Sequence, residues 1–357
     1  MTTAHMNSNR TIEILSRLVF SEVNKDKLAE LNHEQFQEIA ALASSHHVVL
    51  RAMDALRGMM ACAHDYERYE WATEAIERER SRIDNAISFL RQICGTLSSG
   101  GCNVIVIKSL DHWPDIGSDL DLYTNAEPEQ VIRLMTHNFD AQLAERSWGD
   151  RLAHKWNFII PGLPELVEIH MGRLGQTGEL IEFAGSLVAR SRPLRIGDYF
   201  FQVPAPEDRL MICTLQRMYR HFYARLCDIA DTAEILESGI VDFDDLQSSA
   251  EESGIWEGVA TFLVIVSDYV HKYRGRGILL PTSVRSAARF GANQVRFGRG
   301  FLRIPILPHS ARLYASEWTT LILHGQLRST ARLSLLPCLA TAAAIGQKIT
   351  GSDKGIW

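Results

Sequence analysis

Proline is missing from residues 1–100, so helices there can run without the break its ring imposes. The six cysteines (Cys62, Cys94, Cys102, Cys213, Cys227 and Cys338) contain no CxxC pair. That argues against a zinc ribbon or a disulfide framework and for reduced thiols. No uncharged apolar run reaches the roughly 20 residues of a membrane span. The opening stretch MTTAHMNSNR lacks the apolar core of a secretory signal. A cytoplasmic protein is the expectation. Acids are almost absent from Tyr269 to Gly351, where Glu317 alone faces twelve Lys and Arg, a local charge of +11 in a chain whose net charge is −6. Such a segment suits an anionic partner, peripheral contact with a membrane surface, or docking on the acidic remainder. No internal repeat or low-complexity tract is present.

What the chain does have is ordinary globular composition, 46% hydrophobic and 22% charged. In residues 10–100, TIEILSRLV, EQFQEIAALASSHHVVLRAMDAL and ATEAIERERSRIDNAISFLRQICGTL repeat apolar residues at three- and four-residue spacing, which predicts helices. His46 and His47 are adjacent, cannot share a helix face, and read as surface or packing residues. From 102 the pattern changes. Val104–Ile107 is a short apolar run, and HKWNFII, LPELVEIHMG and DYFFQVP read as further strands. EPEQVIRLMTHNF predicts a helix with Pro128 in its first turn. PAPEDRLMICTLQRMYRHFYARLCDIADTAEILES predicts a long helix or helix pair, and EGVATFLVIVSDYVHKY another helix. SLLPCLATAAAIG, near the end, reads as a docked apolar helix.

The chemistry concentrates in VIVIKSLDHWPDIGSDLDLYT, residues 104–124. In the alternating segment Asp119-Leu120-Asp121-Leu122, both carboxylates leave one face of a strand. Such a pair raises its own pKa unless a cation lies between. Mg²⁺ binds carboxylate and phosphate oxygens together. A third acid, Glu168, alternates with Val167 and Ile169 and shares its face with His170. The other Asp-x-Asp, Asp242-Phe-Asp244, reads as exposed acids at a helix start. Lys155 reads as an edge-strand lysine or a phosphate contact. Arg225 and Asp228, three apart, read as an ion pair or an acceptor contact. Arg217, Arg220 and His221 crowd the same helix.

The order of Lys108-Ser109, Asp119-Leu-Asp121 and Glu168-Ile-His170 resembles the nucleotidyltransferase superfamily of DNA polymerase beta type. It looks most like an uncharacterised nucleotidyltransferase family with a Lys-Gly turn, an Asp-x-Asp strand and an acid-x-His strand. The resemblance covers about residues 40–270. It implies that Asp119, Asp121 and Glu168 hold Mg²⁺ or Mn²⁺ and carry the catalysis. Lys108, Ser109 and Ser118 would bind the nucleotide, with Lys155, His170, Arg225 and Asp228 as acceptor or phosphate contacts. An NTP, ATP first among them, would give up its NMP to a hydroxyl on a small molecule, RNA or protein. Serine replaces the family's glycine at 109, and glutamate the more usual aspartate at 168. These departures motivate one alternative, a non-catalytic binding module; the basic segment motivates another, a membrane-surface accessory protein. The expected architecture is α/β: a helical region 1–100, a nucleotidyltransferase-like core with a small mixed sheet at 101–203, and a helical region 204–357 carrying the basic segment 269–352.

Overall fold

A computed structural model of the chain describes residues 8–21, 31–336 and 338. Lys348 and most of the apolar run near the C-terminus lie outside them. Four helices come first: α1 (Ser8–Phe20), α2 (His33–Ser45), α3 (Val49–Ala63) and α4 (Tyr66–Ser99). Asn32 and Gln35 form a reciprocal capping box at the start of α2, bonding at 2.9 and 3.2 Å. That satisfies two amides a helix start leaves orphaned. With no proline to interrupt it, α4 runs 34 residues and reaches from the other helices to the sheet.

The sheet has five strands: β1 (Val104–Val106), β2 (Asp119–Thr124), β3 (Gln142–Leu143), β4 (Lys155–Ile159) and β5 (Leu166–Met171), in the order β1-β2-β5-β4-β3. β2 and β5 run parallel and the other pairs antiparallel, so the sheet is mixed, as expected. Register decides the site. Asp121 lies opposite Glu168, Tyr123 opposite His170, and Lys155 on β4 opposite His170. Residues so paired emerge on one face. The other face carries Leu120, Leu122, Phe158, Val167 and Ile169, all fully buried. One continuous apolar core runs from Ile12 to Leu313 and draws on all three expected regions.

Helices α5 (Pro128–Phe139), α6 (Trp148–Leu152) and α7 (Ile181–Arg190) complete the middle of the chain. The DYFFQVP strand does not join the large sheet. As β7 (Tyr199–Val203) it pairs with β6 (Arg192–Ile196) in a separate hairpin. Gly197, at φ 60°, and Asp198 make the two-residue turn that closes it.

The long helix or helix pair expected from 206 is realised as a pair with an irregular junction. α8 (Pro206–Thr214) passes into a π-helical turn, Leu215–Arg220, and Phe222 at φ 52° reverses the chain. A short strand β8 (Tyr223–Ala224) then leads into α9 (Leu226–Glu237). α10 (Phe243–Glu252), α11 (Trp256–Arg274) and α12 (Thr282–Ala287) follow, and Asp242 caps α10. The stretch after α12 contains β9 (Arg296–Gly298) and β10 (Phe301–Arg303), which form a small sheet with β8. α13 (Ala311–Leu323) and α14 (Leu327–Leu333) come last. Part of the basic segment is neutralised internally: Lys272 pairs with Glu13 at 3.2 Å, Arg274 with Glu237 at 2.9 Å, and Arg289 with Glu257.

His46 and His47 are packing residues. Leu226 N–H donates to His46 Nδ1 at 2.9 Å, so Nε2 carries the proton and donates to the Gly300 carbonyl at 2.8 Å. Burial holds the His46 pKa down to about 4, although the Gly300 bond and Asp228 pull the other way. Between pH 6.5 and 4 the unfolded chain therefore binds a proton here that the folded chain does not. Stability should fall as pH falls through that window, by up to about 1.4 kcal/mol per pH unit from this residue. Urea titrations of wild type and His46→Gln at pH 7 and pH 4.5 check this. The wild type should lose more stability on acidification than the variant, and equal losses would refute it.

Candidate active site

The apolar run that begins β1 ends at Ile107, whose N–H donates to Asp121 O at 3.0 Å. Lys108 then turns the chain with φ at 62°, a conformation few residues other than glycine adopt. Ser109 closes the turn. Its Oγ accepts from Asp121 N at 2.7 Å and donates to Asp119 O at 3.3 Å. A hydroxyl thus latches the turn to the strand that carries both aspartates.

The loop that follows is held from outside. The carboxylate of Asp115 accepts from Leu50 N at 2.7 Å and Arg51 N at 3.3 Å, at the start of α3. Those amides have no partner within their own helix, and a carboxylate there also meets the positive end of the helix dipole. Arg82 on α4 donates to Ile116 O at 2.9 Å and Gly117 O at 3.2 Å, and pairs with Glu165 at 2.6 Å. It therefore fixes the entries to β2 and β5 together.

Each carboxylate ends in a different environment. Asp121 ion-pairs with the Lys108 ammonium and lies 3.8 Å from His170 Nε2. Burial pushes its carboxyl upward, but Lys108 and His170 hold it well below the usual range. Burial and the charge of Asp121 push Asp119 upward. The same two causes raise Glu168, although Lys155 Nζ sits 3.0 Å from its Oε1. Lys155 also contacts Asp150 at 2.9 Å. It is no edge residue: β4 is interior to the sheet, and the side chain is buried. Burial lowers the His170 pKa to about 4, leaving the ring neutral at pH 7.

Lys108, Ser109, Ser118, Asp119, Asp121, Lys155 and Glu168 line one cleft of about 170 Å³. The rest of its lining includes Gln216, Arg217, Arg220, His221, Tyr223 and Arg225, from the π-helical turn and the entry to α9. The wider pitch of a π turn shifts the residues after it around the helix axis, and such turns are frequent at functional sites. Arg225 stacks over Tyr223 with its guanidinium 5.7 Å from the ring centre.

Asp228 does not reach this cleft. It lies beneath, 1% exposed, accepting from Arg225 N at 2.6 Å and pairing with Arg217 at 2.8 Å. Its partner is thus the guanidinium of Arg217, with Arg225 supplying only a backbone amide. Sequence reasoning missed His47, His112, Gln216 and Tyr223, which also line the cleft. The three- and four-residue spacing of Arg217, Arg220 and His221 was the available signal for that wall. Nothing in the sequence foretold that His112 Nδ1 meets Asp231 at 2.5 Å.

The residues fit a divalent cation. One ligand atom from each of Asp121, Glu168 and His170 lies within 4.8 Å of the others. Among the described residues, both ring nitrogens of His170 are buried without a hydrogen-bond partner. Buried polar atoms are rarely left so.

Residues 32–271 match a protein family described as an uncharacterised nucleotidyltransferase. The chain belongs to that family. No curated protein matches it. The match begins at α2 and ends inside α11, so in this nucleotidyltransferase family the helices that clamp the loop before Asp119 belong to the same unit as the sheet. Among the described residues no helix is long and apolar enough to cross a membrane.

Proposed function

We propose that the protein transfers a nucleoside monophosphate from an NTP to a hydroxyl-bearing acceptor and releases pyrophosphate. The observation that supports this best is the register of β2 on β5. It sets Asp121 beside Glu168, with Asp119 two residues earlier on the same face, all opening on one cleft. The remaining wall of that cleft is cationic, which suits a triphosphate.

In this reading Asp119, Asp121 and Glu168 hold the divalent cation. Bound there, it would neutralise phosphate charge and orient the attacking and leaving oxygens. Arg220 and Arg225 face the phosphates, and Lys108 and Ser109 line the turn beside them. Arg217, committed to Asp228, presents a fixed positive charge. Glu168 is the base we assign. It lies on the cleft-facing side of β5 beside Asp121, where the acceptor hydroxyl would approach the cation. ATP is the nucleotide to test first. The acceptor belongs among small molecules, RNA and protein, and the unpaired part of the basic segment favours an anionic one.

Incubation with each α-³²P-labelled NTP, Mg²⁺ or Mn²⁺ and an extract of the host tests the reading. Wild type should transfer label and Asp119→Asn should not. Failure of the wild type to transfer label, or to bind any NTP in the presence of metal, would favour a binding module instead.

A further inference from the structure

The acids of the cleft do not form a purely oxygen-lined site. His170 leaves β5 on the same face as Glu168, and its Nε2 lies 3.8 Å from Asp121 Oδ1. That is too long for a hydrogen bond, yet it is a separation two ligands of one ion can have at metal–ligand distances of about 2.0–2.2 Å. The ring is 5% exposed, and among the described residues neither nitrogen has a hydrogen-bond partner. It also borders a small hollow lined by Ile107, Leu174, Ile212 and Leu215 together with Lys108, Gln176, Gln216 and Arg220.

Two ammonium groups share this site, and they differ. Lys155 has a second anion, Asp150, at 2.9 Å, and stays anchored whatever Glu168 does. Among the described residues the ion pair of Lys108 is with Asp121 alone. Its flexible stem lets the head leave without disturbing the sheet.

Resting on the functional reading above, we propose that Asp121, Glu168 and His170 form one mixed nitrogen and oxygen site. It takes a first-row dication with affinity for imidazole in preference to Mg²⁺, with Mn²⁺ serving as the paramagnetic probe, and Lys108 is the cation that the metal displaces. Mg²⁺ favours oxygen ligands, whereas imidazole suits the later first-row ions. Asp119, two residues before Asp121 on the same face, would complete the coordination from the triphosphate side, as in the reading above. Release of Lys108 from Asp121 turns its ammonium toward the same phosphates, so metal entry and phosphate binding reinforce each other.

Pulsed electron paramagnetic resonance of Mn²⁺ with the full chain and inorganic tripolyphosphate, which contains no nitrogen, tests the assignment. The wild type should show the ¹⁴N coupling of a directly bonded imidazole, and His170→Gln should lose it. Calorimetry should give tighter binding of Mn²⁺ than of Mg²⁺, a drop of about 10- to 100-fold for Mn²⁺ in His170→Gln, and tighter Mn²⁺ binding in Lys108→Met. The wild-type spectrum decides the ligand even if a variant folds poorly. Firm Mn²⁺ binding without nitrogen coupling would overturn this proposal and leave the nucleotidyl-transfer reading standing. Absence of any dication binding would overturn both.

Discussion

Asp121→Asn should reduce nucleotidyl transfer by about 10³-fold or more while the protein stays folded. Asp121 sits where four features meet: the Ser109 latch on its amide, the Lys108 ammonium, His170, and Glu168 across the strand pair. Asparagine keeps the shape and the backbone bond, because Ser109 holds the amide N–H and not the carboxylate. What disappears is a buried negative charge held ionised by its neighbours. Removal of one preorganised electrostatic group commonly costs 10²–10³ in rate, and a group that also holds the metal adds to that. Lys108 loses its partner, but at 13% side-chain exposure it borders the open cleft and its long stem can carry the charge to water. Initial rates beside thermal melts make the test. A variant within ten-fold of wild type would remove Asp121 from the chemistry, and a variant that unfolds would show the charge to be structural.

The second large effect is on stability. Asp228→Ala should cost about 3–5 kcal/mol, because it strands the Arg217 guanidinium in the interior. The two side chains are 1% and 4% exposed, and the pair is 2.8 Å apart. Asp228 also accepts from Arg225 N, so its loss uncovers a helix-start amide as well. Arg217→Met should be comparably harmful, leaving the carboxylate unpaired. The double replacement Arg217→Met/Asp228→Leu should cost clearly less than the sum of the two single changes, since it leaves no lone charge. Urea denaturation of the three variants measures this. Single losses below about 1 kcal/mol would show that the pair is solvated after all. The same variants bear on the early reading of Asp228 as an acceptor contact: a structural role lowers stability without selectively raising the acceptor KM.

The legible parts of the site were those written in local alternation. Asp119-Leu-Asp121 and Val167-Glu168-Ile169-His170 state which side chains share a face, because period two is a property of the strand itself. Lys155 was misjudged because its role depends on strand order. Only the placement of β4 between β5 and β3 turns a supposed edge lysine into an interior partner of Glu168 and Asp150. Asp228 was misjudged for a related reason. Spacing of three suggested Arg225, but Arg225 lies at the helix cap with only its amide engaged, and Arg217 comes back from the π-helical turn to take the charge. Neither that turn nor the reversal at Phe222 has a compositional signature, since no glycine or proline marks them. The β6–β7 hairpin, by contrast, does carry a Gly-Asp turn signal at 197–198.

The pairing of lysines with acids in the cleft has a consequence for handling the protein. Two ammonium groups already offset most of the charge of three carboxylates, so the fold does not wait for a metal to relieve repulsion. A zinc finger collapses when its ion is stripped, because the ion is its core. This chain should instead emerge from prolonged chelation with its melting curve unchanged, silent and intact, and regain function when the ion returns. Its dependence on metal would be a matter of supply rather than of survival.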